Sequence, residues 1–135
     1  MSRNSTKKKI VIAEDDDAVL ELLTVRLELA GYHTVAARNG FQALERIRSI
    51  MPDALILDLG MPRLDGFGVL QELRKRTKKL PVCVLTARQS AKDVQRAVML
   101  GANFYLTKPF SDKMLIERVA RMLLPAAPVG QVWEI

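Results

Sequence analysis

Four short apolar runs each end on, or just before, a residue that can do chemistry. Ile10-Val11-Ile12-Ala13 runs into Glu14-Asp15-Asp16-Asp17, and Ala54-Leu55-Ile56-Leu57 runs into Asp58. Pro81-Val82-Cys83-Val84-Leu85 ends at Thr86, and Phe104-Tyr105-Leu106 ends near Lys108-Pro109. Brought together, the carboxylates of Glu14, Asp15 and Asp58 would repel one another and resist joint ionisation. A hard divalent cation that prefers oxygen ligands, Mg²⁺ or Mn²⁺, removes that conflict. Mg²⁺ usually takes one or two carboxylates with water and a phosphate oxygen, so a backbone carbonyl just beyond Asp58, that of Gly60, could complete the set. Phosphoryl transfer suits such a group, because it needs an in-line nucleophile and cations to absorb charge on the equatorial oxygens. Asp58 would be the nucleophile. The metal and Lys108 would neutralise the oxygens, and the Thr86 hydroxyl would donate a hydrogen bond to one of them.

Taken singly, these residues have plainer explanations. Acids after a strand are common helix N-caps, which accounts for Asp16 or Asp17. It accounts poorly for Asp58, because a loop with Gly60 and Pro62 comes next. Thr86 alone reads as a cap and Lys108 alone as a surface lysine; the joint pattern carries the specificity. Asp65, before Gly66, reads as a turn or N-cap residue. His33 is the sole histidine and stands at a strand start, so it reads as structural. Cys83 is the sole cysteine, which rules out an intrachain disulfide. Its apolar neighbours make it a core thiol.

The elements that must position these residues follow from hydrophobic spacing. The apolar runs, rich in β-branched residues, read as buried strands, with His33-Thr34-Val35-Ala36-Ala37 as a further one. Between them, Leu20, Leu23, Leu27 and Ala30 recur at helical spacing before Gly31. Asn39-Gly40 opens a helix carrying Ala43, Leu44, Ile47 and Ile50, which Pro52 ends. Phe67, Leu70 and Leu73 mark a third helix. Val94, Ala97, Val98 and Leu100 mark a fourth, closed by Gly101. Met114, Leu115, Val119 and Met122 mark the last. Five strands alternating with five helices predict one α/β domain, a parallel sheet covered on both faces. In such sheets sites form at the carboxyl edge, near the topological switch point.

The 135 residues suffice for one domain with its own core, and the 49% apolar content excludes a disordered chain. Three segments are read: a flexible basic N-terminus at 1–8, the folded domain at 9–124, and a tail or linker stub at 125–135. The net charge of +6 invites a nucleic-acid reading. However, Arg3, Lys7, Lys8 and Lys9 all precede the first acid, and Arg74, Lys75, Arg76, Lys78 and Lys79 gather at a helix end, where cations meet the negative dipole pole. We read both as solvated, with no direct nucleic-acid binding by this chain. No apolar stretch approaches the ~20 residues that span a bilayer, and no secretory segment is seen at the N-terminus. The expectation is a cytoplasmic protein that does not engage a membrane.

Order, spacing and flanking residues together resemble the receiver domain of two-component response regulators, within the chemotaxis-regulator-like superfamily. The stretches that carry it are Ile10 to Asp16, Pro52 to Gly66, Val84-Leu85-Thr86-Ala87 and Gly101 to Phe110, and the match covers about residues 9–124. The resemblance implies a flavodoxin-like doubly wound sheet, strand order 2-1-3-4-5. It implies a phosphorelay in which Asp58 takes a phosphoryl group from a histidine kinase or phosphotransfer protein. It makes Glu14 and Asp15 the acidic pair for Mg²⁺, Thr86 and Tyr105 a switch pair, Lys108-Pro109 a cis bond, and the fourth helix, fifth strand and fifth helix the output face. "Enzyme" would then describe only self-catalysed phosphorylation and dephosphorylation.

Three departures stand out. Glu14 replaces the commoner Asp. Gly60 occupies a position where a larger side chain often shields the acyl phosphate, which with Arg88 should affect its lifetime. Asn103-Phe104 replaces paired aspartates found in the subfamily that dimerises through the output face, making that dimer less favoured. Two rival readings fit the chain less well. A binding module working without phosphorylation usually lacks a site residue, and none is missing. A haloacid-dehalogenase-type enzyme expects a second Asp two residues after the nucleophile, where Gly60 stands. No helix-turn-helix segment follows Leu124, so the expectation is a stand-alone receiver or one cut from an effector domain, with an unidentified output partner.

Overall fold

A computed structural model describes residues 7–87 and 91–125. Most of the N-terminal stretch, most of the tail and Arg88 lie outside the described residues.

Each strand is short and most are apolar throughout. The strands are β1 (Lys9–Ala13), β2 (His33–Ala37), β3 (Ala54–Asp58), β4 (Val82–Thr86) and β5 (Phe104–Thr107). The helices between and after them are α1 (Asp17–Leu29), α2 (Gly40–Ile50), α3 (Gly66–Arg76), α4 (Ala91–Met99) and α5 (Asp112–Met122). All strands pair in parallel, in the order β2-β1-β3-β4-β5. β4 begins at Val82, one residue later than the apolar run, because Pro81 has no N–H to give the ladder.

Successive strand residues point to opposite faces, so each strand feeds two cores. Val11, Ala13, Leu55, Leu57, Val82 and Val84 pack with α2, α3 and Ala97 of α4. Ile10, Ile12, Ala54, Ile56, Cys83 and Leu85 pack with α1 and α5. β3 and β4 are buried at every position, whereas the edge strand β5 is mostly half-buried and β2 is exposed at His33 and Ala36. Coverage on both faces therefore holds fully only for the inner strands. Truncating a central residue such as Leu23 or Leu57 should cost ~2–5 kcal/mol.

The helices start where side chains satisfy their free N–H groups. Asp16 accepts from Ala18 and Val19, Asn39 from Gln42, Asp65 from Gly68 and Ser111 from Met114. Two residues expected on apolar faces point outward instead: Ala30 caps α1 in the open, and Met114 is 42% exposed. Among the described residues no helix is long and apolar enough to cross a membrane.

Candidate functional site at the carboxyl edge

β1 pairs with β2 on one side and with β3 on the other, so the chain direction switches at the β1–β3 seam. Loops leaving that seam diverge to opposite faces and open a crevice above the strand ends. Glu14 and Asp15 leave β1 there, and Asp58 is the last residue of β3. Thr86 ends β4. The Lys108 amide, just past β5, donates to the Thr86 carbonyl at 2.8 Å, which brings its side chain back over the seam. The Lys108-Pro109 peptide bond is cis.

Glu14, Asp58 and Thr86 are the buried polar side chains among the described residues, while Asp15 is exposed. Glu14, Asp15 and Asp58 each offer a carboxylate oxygen, all within 4.8 Å of one another. Lys108 Nζ lies 2.8 Å from Glu14 Oε1 and 3.4 Å from Asp58 Oδ1, so one ammonium spans both buried acids. The other Glu14 oxygen accepts from the Asp16 amide at 3.1 Å. Asp58 Oδ1 also accepts from the Gly60 amide at 3.3 Å.

The electrostatics follow from this packing. Burial pushes the Glu14 carboxyl above its ordinary value, and the Asp58 charge adds to that. The Lys108 ammonium and the Asp16 amide pull the other way without reversing it. For Lys108, burial favours loss of the proton, but the bonds and charges of Glu14 and Asp58 outweigh it. The lysine is held above its ordinary value and stays charged. A cluster with three acids and one such cation remains short of positive charge. The all-oxygen donor set fits a hard divalent ion of the Mg²⁺ or Mn²⁺ kind.

Every site residue read from the sequence except Tyr105 comes to this edge. Tyr105 sits mid-strand, half-buried against the α2–α3–α4 core, and its carbonyl accepts from Arg118 Nε at 3.2 Å. The spacing had suggested Lys108 as a partner for a phosphoryl oxygen near Asp58. Its closest contact is to Glu14, a pairing that no pattern in the sequence announces.

A second departure lies at the opposite edge. Arg74, read with Lys75 to Lys79 as part of a solvated basic face, is half-buried. Its guanidinium donates to the carbonyls of Gly101 (2.7 Å), Leu80 (2.8 Å) and Thr77 (3.3 Å) and to Asn103 Oδ1 (3.1 Å). Burial lowers its proton affinity. The only hint was its place in the last turn of α3, where free carbonyls collect.

A doubly wound parallel sheet with an acid cluster, a hydroxyl and a lysine at its switch point places the chain among α/β domains whose site lies at the carboxyl ends of the strands. The chain matches the response regulator receiver domain family over residues 10–120, and it belongs to that family. It is 42% identical over 118 residues to the probable transcriptional regulator ycf27 of Guillardia theta, a match covering 87% of this chain and 46% of that one. It is 42% identical over 120 residues to the response regulator MprA of Mycobacterium avium, covering 89% and 53%. The chain thus spans about half the length of these curated relatives. Among solved structures, the receiver domain of the Francisella response regulator 1452 superposes with a TM-score of 0.82 at 34% identity, covering 87% of this chain and 97% of that one.

Proposed function

We propose that this receiver domain is switched by phosphorylation of Asp58. The observation that carries the reading is the single ammonium of Lys108 set between Glu14 and Asp58, beside three carboxylates whose oxygens fall within 4.8 Å. Glu14, Asp15 and Asp58, with the Gly60 carbonyl, would hold Mg²⁺, which when bound supplies charge neutralisation for phosphoryl oxygens.

The remaining steps belong to the chain's own side chains. An Asp58 carboxylate oxygen attacks the phosphorus of a phosphohistidine on the donor protein. The new O–P bond forms as the P–N bond breaks, and its electron pair returns to the imidazole. Lys108 exchanges its bond to Asp58 Oδ1 for one to a phosphoryl oxygen, and the Thr86 hydroxyl donates to another. Attack of water on phosphorus later returns Asp58 to its free form. Thr86 moves toward the modified Asp58, the Tyr105 ring turns inward, and an existing equilibrium at the α4–β5–α5 face shifts. The natural donor is a sensor histidine kinase or a histidine phosphotransfer protein. As the relatives are named regulators about twice as long, an output domain or separate output protein reads that face.

Acetyl phosphate, a small-molecule donor, tests this directly. Wild type should take one label per chain with Mg²⁺ and none with chelator, and Asp58→Asn should take none. A wild type that stays unlabelled with Mg²⁺ present would favour a binding module working without phosphorylation.

A further inference from the structure

Two glycines, Gly40 and Gly68, lie against Leu64 in the loop after Asp58, a third, Gly66, lies against Asp58 and Leu59, and the backbone does not require any of them to be glycine. Among the described residues the positive-φ glycines are Gly31 and Gly101; Gly40, Gly66 and Gly68 are not among them. What they supply is room. A Cβ on Gly40 would overlap the Leu64 carbonyl oxygen and sit 2.7 Å from Leu64 Cβ. A Cβ on Gly68 would sit 2.5 Å from Leu64 Cδ1. One on Gly66 would meet the Asp58 carbonyl oxygen at 2.7 Å and Leu59 Cα at 2.8 Å. Real Cβ atoms do not approach other atoms this closely, so the gap between the starts of α2 and α3 admits Leu64 only because it is lined by glycine.

The chain enters that gap through an unusual turn. Arg63 takes a left-handed φ of 69°, a conformation that side chains disfavour. Its guanidinium lies over the exposed Phe41 ring of α2, 5.7 Å from the centroid. At the near end of the same loop, the Gly60 amide donates to Asp58 Oδ1, the oxygen that Lys108 also approaches. The loop is therefore fixed at both ends, on Asp58 and between two helices.

We infer that Gly40 and Gly68 are positioning residues for Asp58: by seating Leu64 between α2 and α3 they hold the loop that aims the Gly60 amide at the acceptor carboxylate. This rests on Asp58 being the phosphoryl acceptor, but its structural half stands without it. The two glycines differ in how they clear Leu64. Gly40 clears its backbone carbonyl, which no substitution of Leu64 removes. Gly68 clears the end of a side chain, which can turn away or be deleted.

The test uses the intact chain. Gly40→Ala should slow acetyl-phosphate labelling and weaken Mg²⁺ binding about tenfold or more, the scale of a small misplacement at a reacting centre. Gly68→Ala should do so far less. Leu64→Ala, which adds no atoms and so is the safer variant to fold, should slow labelling. Combined with Gly68→Ala it should add nothing further, whereas with Gly40→Ala the losses should accumulate. Ala43→Gly, a cavity change buried in the same helix, is the control: lower melting temperature, unchanged labelling per folded molecule. NMR of the metal-free protein supplies the independent readout. The Gly60 amide should shift and exchange faster in Gly40→Ala and Leu64→Ala. If wild type takes no label, the phosphorylation reading fails while the amide data still judge the seat. An unchanged Gly60 amide in both variants, or labelling that falls only with the folded fraction as in Ala43→Gly, overturns the inference.

Discussion

The two ends of the same sheet treat charge in opposite ways. At the amino edge, charged and polar groups are largely satisfied by backbone. Arg74 donates to three carbonyls, Asn103 accepts from the Val82 amide at 2.8 Å, and Asp53 accepts from the Lys9 amide at 2.8 Å. Near that edge Glu28 accepts from both the amide and the hydroxyl of Thr34. At the carboxyl edge the side chains face one another instead: Glu14, Asp58 and Lys108 share two close approaches. Residue type therefore does not separate a staple from a reactive group; the partner does. Fixed backbone partners leave nothing for an incoming ligand to exchange, whereas facing side chains can trade one partner for another.

The sharpest test of this contrast is a pair of substitutions. Asp58→Asn should abolish acetyl-phosphate labelling and leave the metal-free melting temperature at or above wild type, since it removes a like charge beside buried Glu14. Arg74→Ala should do the reverse: labelling per folded molecule unchanged, stability lower by ~2 kcal/mol because buried carbonyls lose their donor. Arg74→Lys should recover little, since a point charge cannot span the carbonyls that a planar fork reaches. If Arg74→Ala slowed labelling without unfolding, the division between the two edges would collapse.

A smaller effect is expected at Gly60. A Cβ there meets nothing within 4 Å, so Gly60→Met should fold normally and change how long the acyl phosphate survives. An identical dephosphorylation rate in the two proteins removes Gly60 from any role in that lifetime.

Cys83 sharpens the picture from inside the sheet. Burial pushes its thiol from 9.0 up to about 12. The neutral thiol thus contributes stability that is complete below pH 9.0 and fades as pH rises toward about 12. Native protein at pH 8 should resist iodoacetamide until denaturant is added; prompt alkylation would show that β4 is open to solvent.

Smallest of all is Glu28, whose carboxyl is held below its ordinary 4.5, chiefly by the Thr34 amide and then by the Thr34 hydroxyl. A lowered carboxyl stabilises the fold above pH 4.5, and that gain is lost as pH falls through the lower folded value. Glu28→Gln should therefore flatten the acid limb of the stability curve, by less than about 1 kcal/mol because the group is solvent-screened. A full acid limb in Glu28→Gln would place the titrating group elsewhere.

Much of this architecture was legible along the chain, because it is written in local terms. Hydrophobic period separated strands from helices, and Asp16, Asn39 and Asp65 announced helix starts through side chains that reach their own next residues. Strand ends marked by Glu14, Asp58, Thr86 and Lys108 were enough to suggest a shared edge, since parallel strands all finish on the same side. Tertiary structure alone decided the rest. Arg74 looked like one of five clustered cations until the fold brought the carbonyls of Leu80 and Gly101 beneath it. Lys108 read from the chain as a cation for phosphoryl oxygens, and the fold set it between Glu14 and Asp58. Gly40 looked like a helix start until Leu64, far along the chain, proved to occupy the place of its missing side chain. The reason is common to all three: a sequence states what each residue prefers nearby, while which distant backbones come within contact distance is settled only when the layers pack.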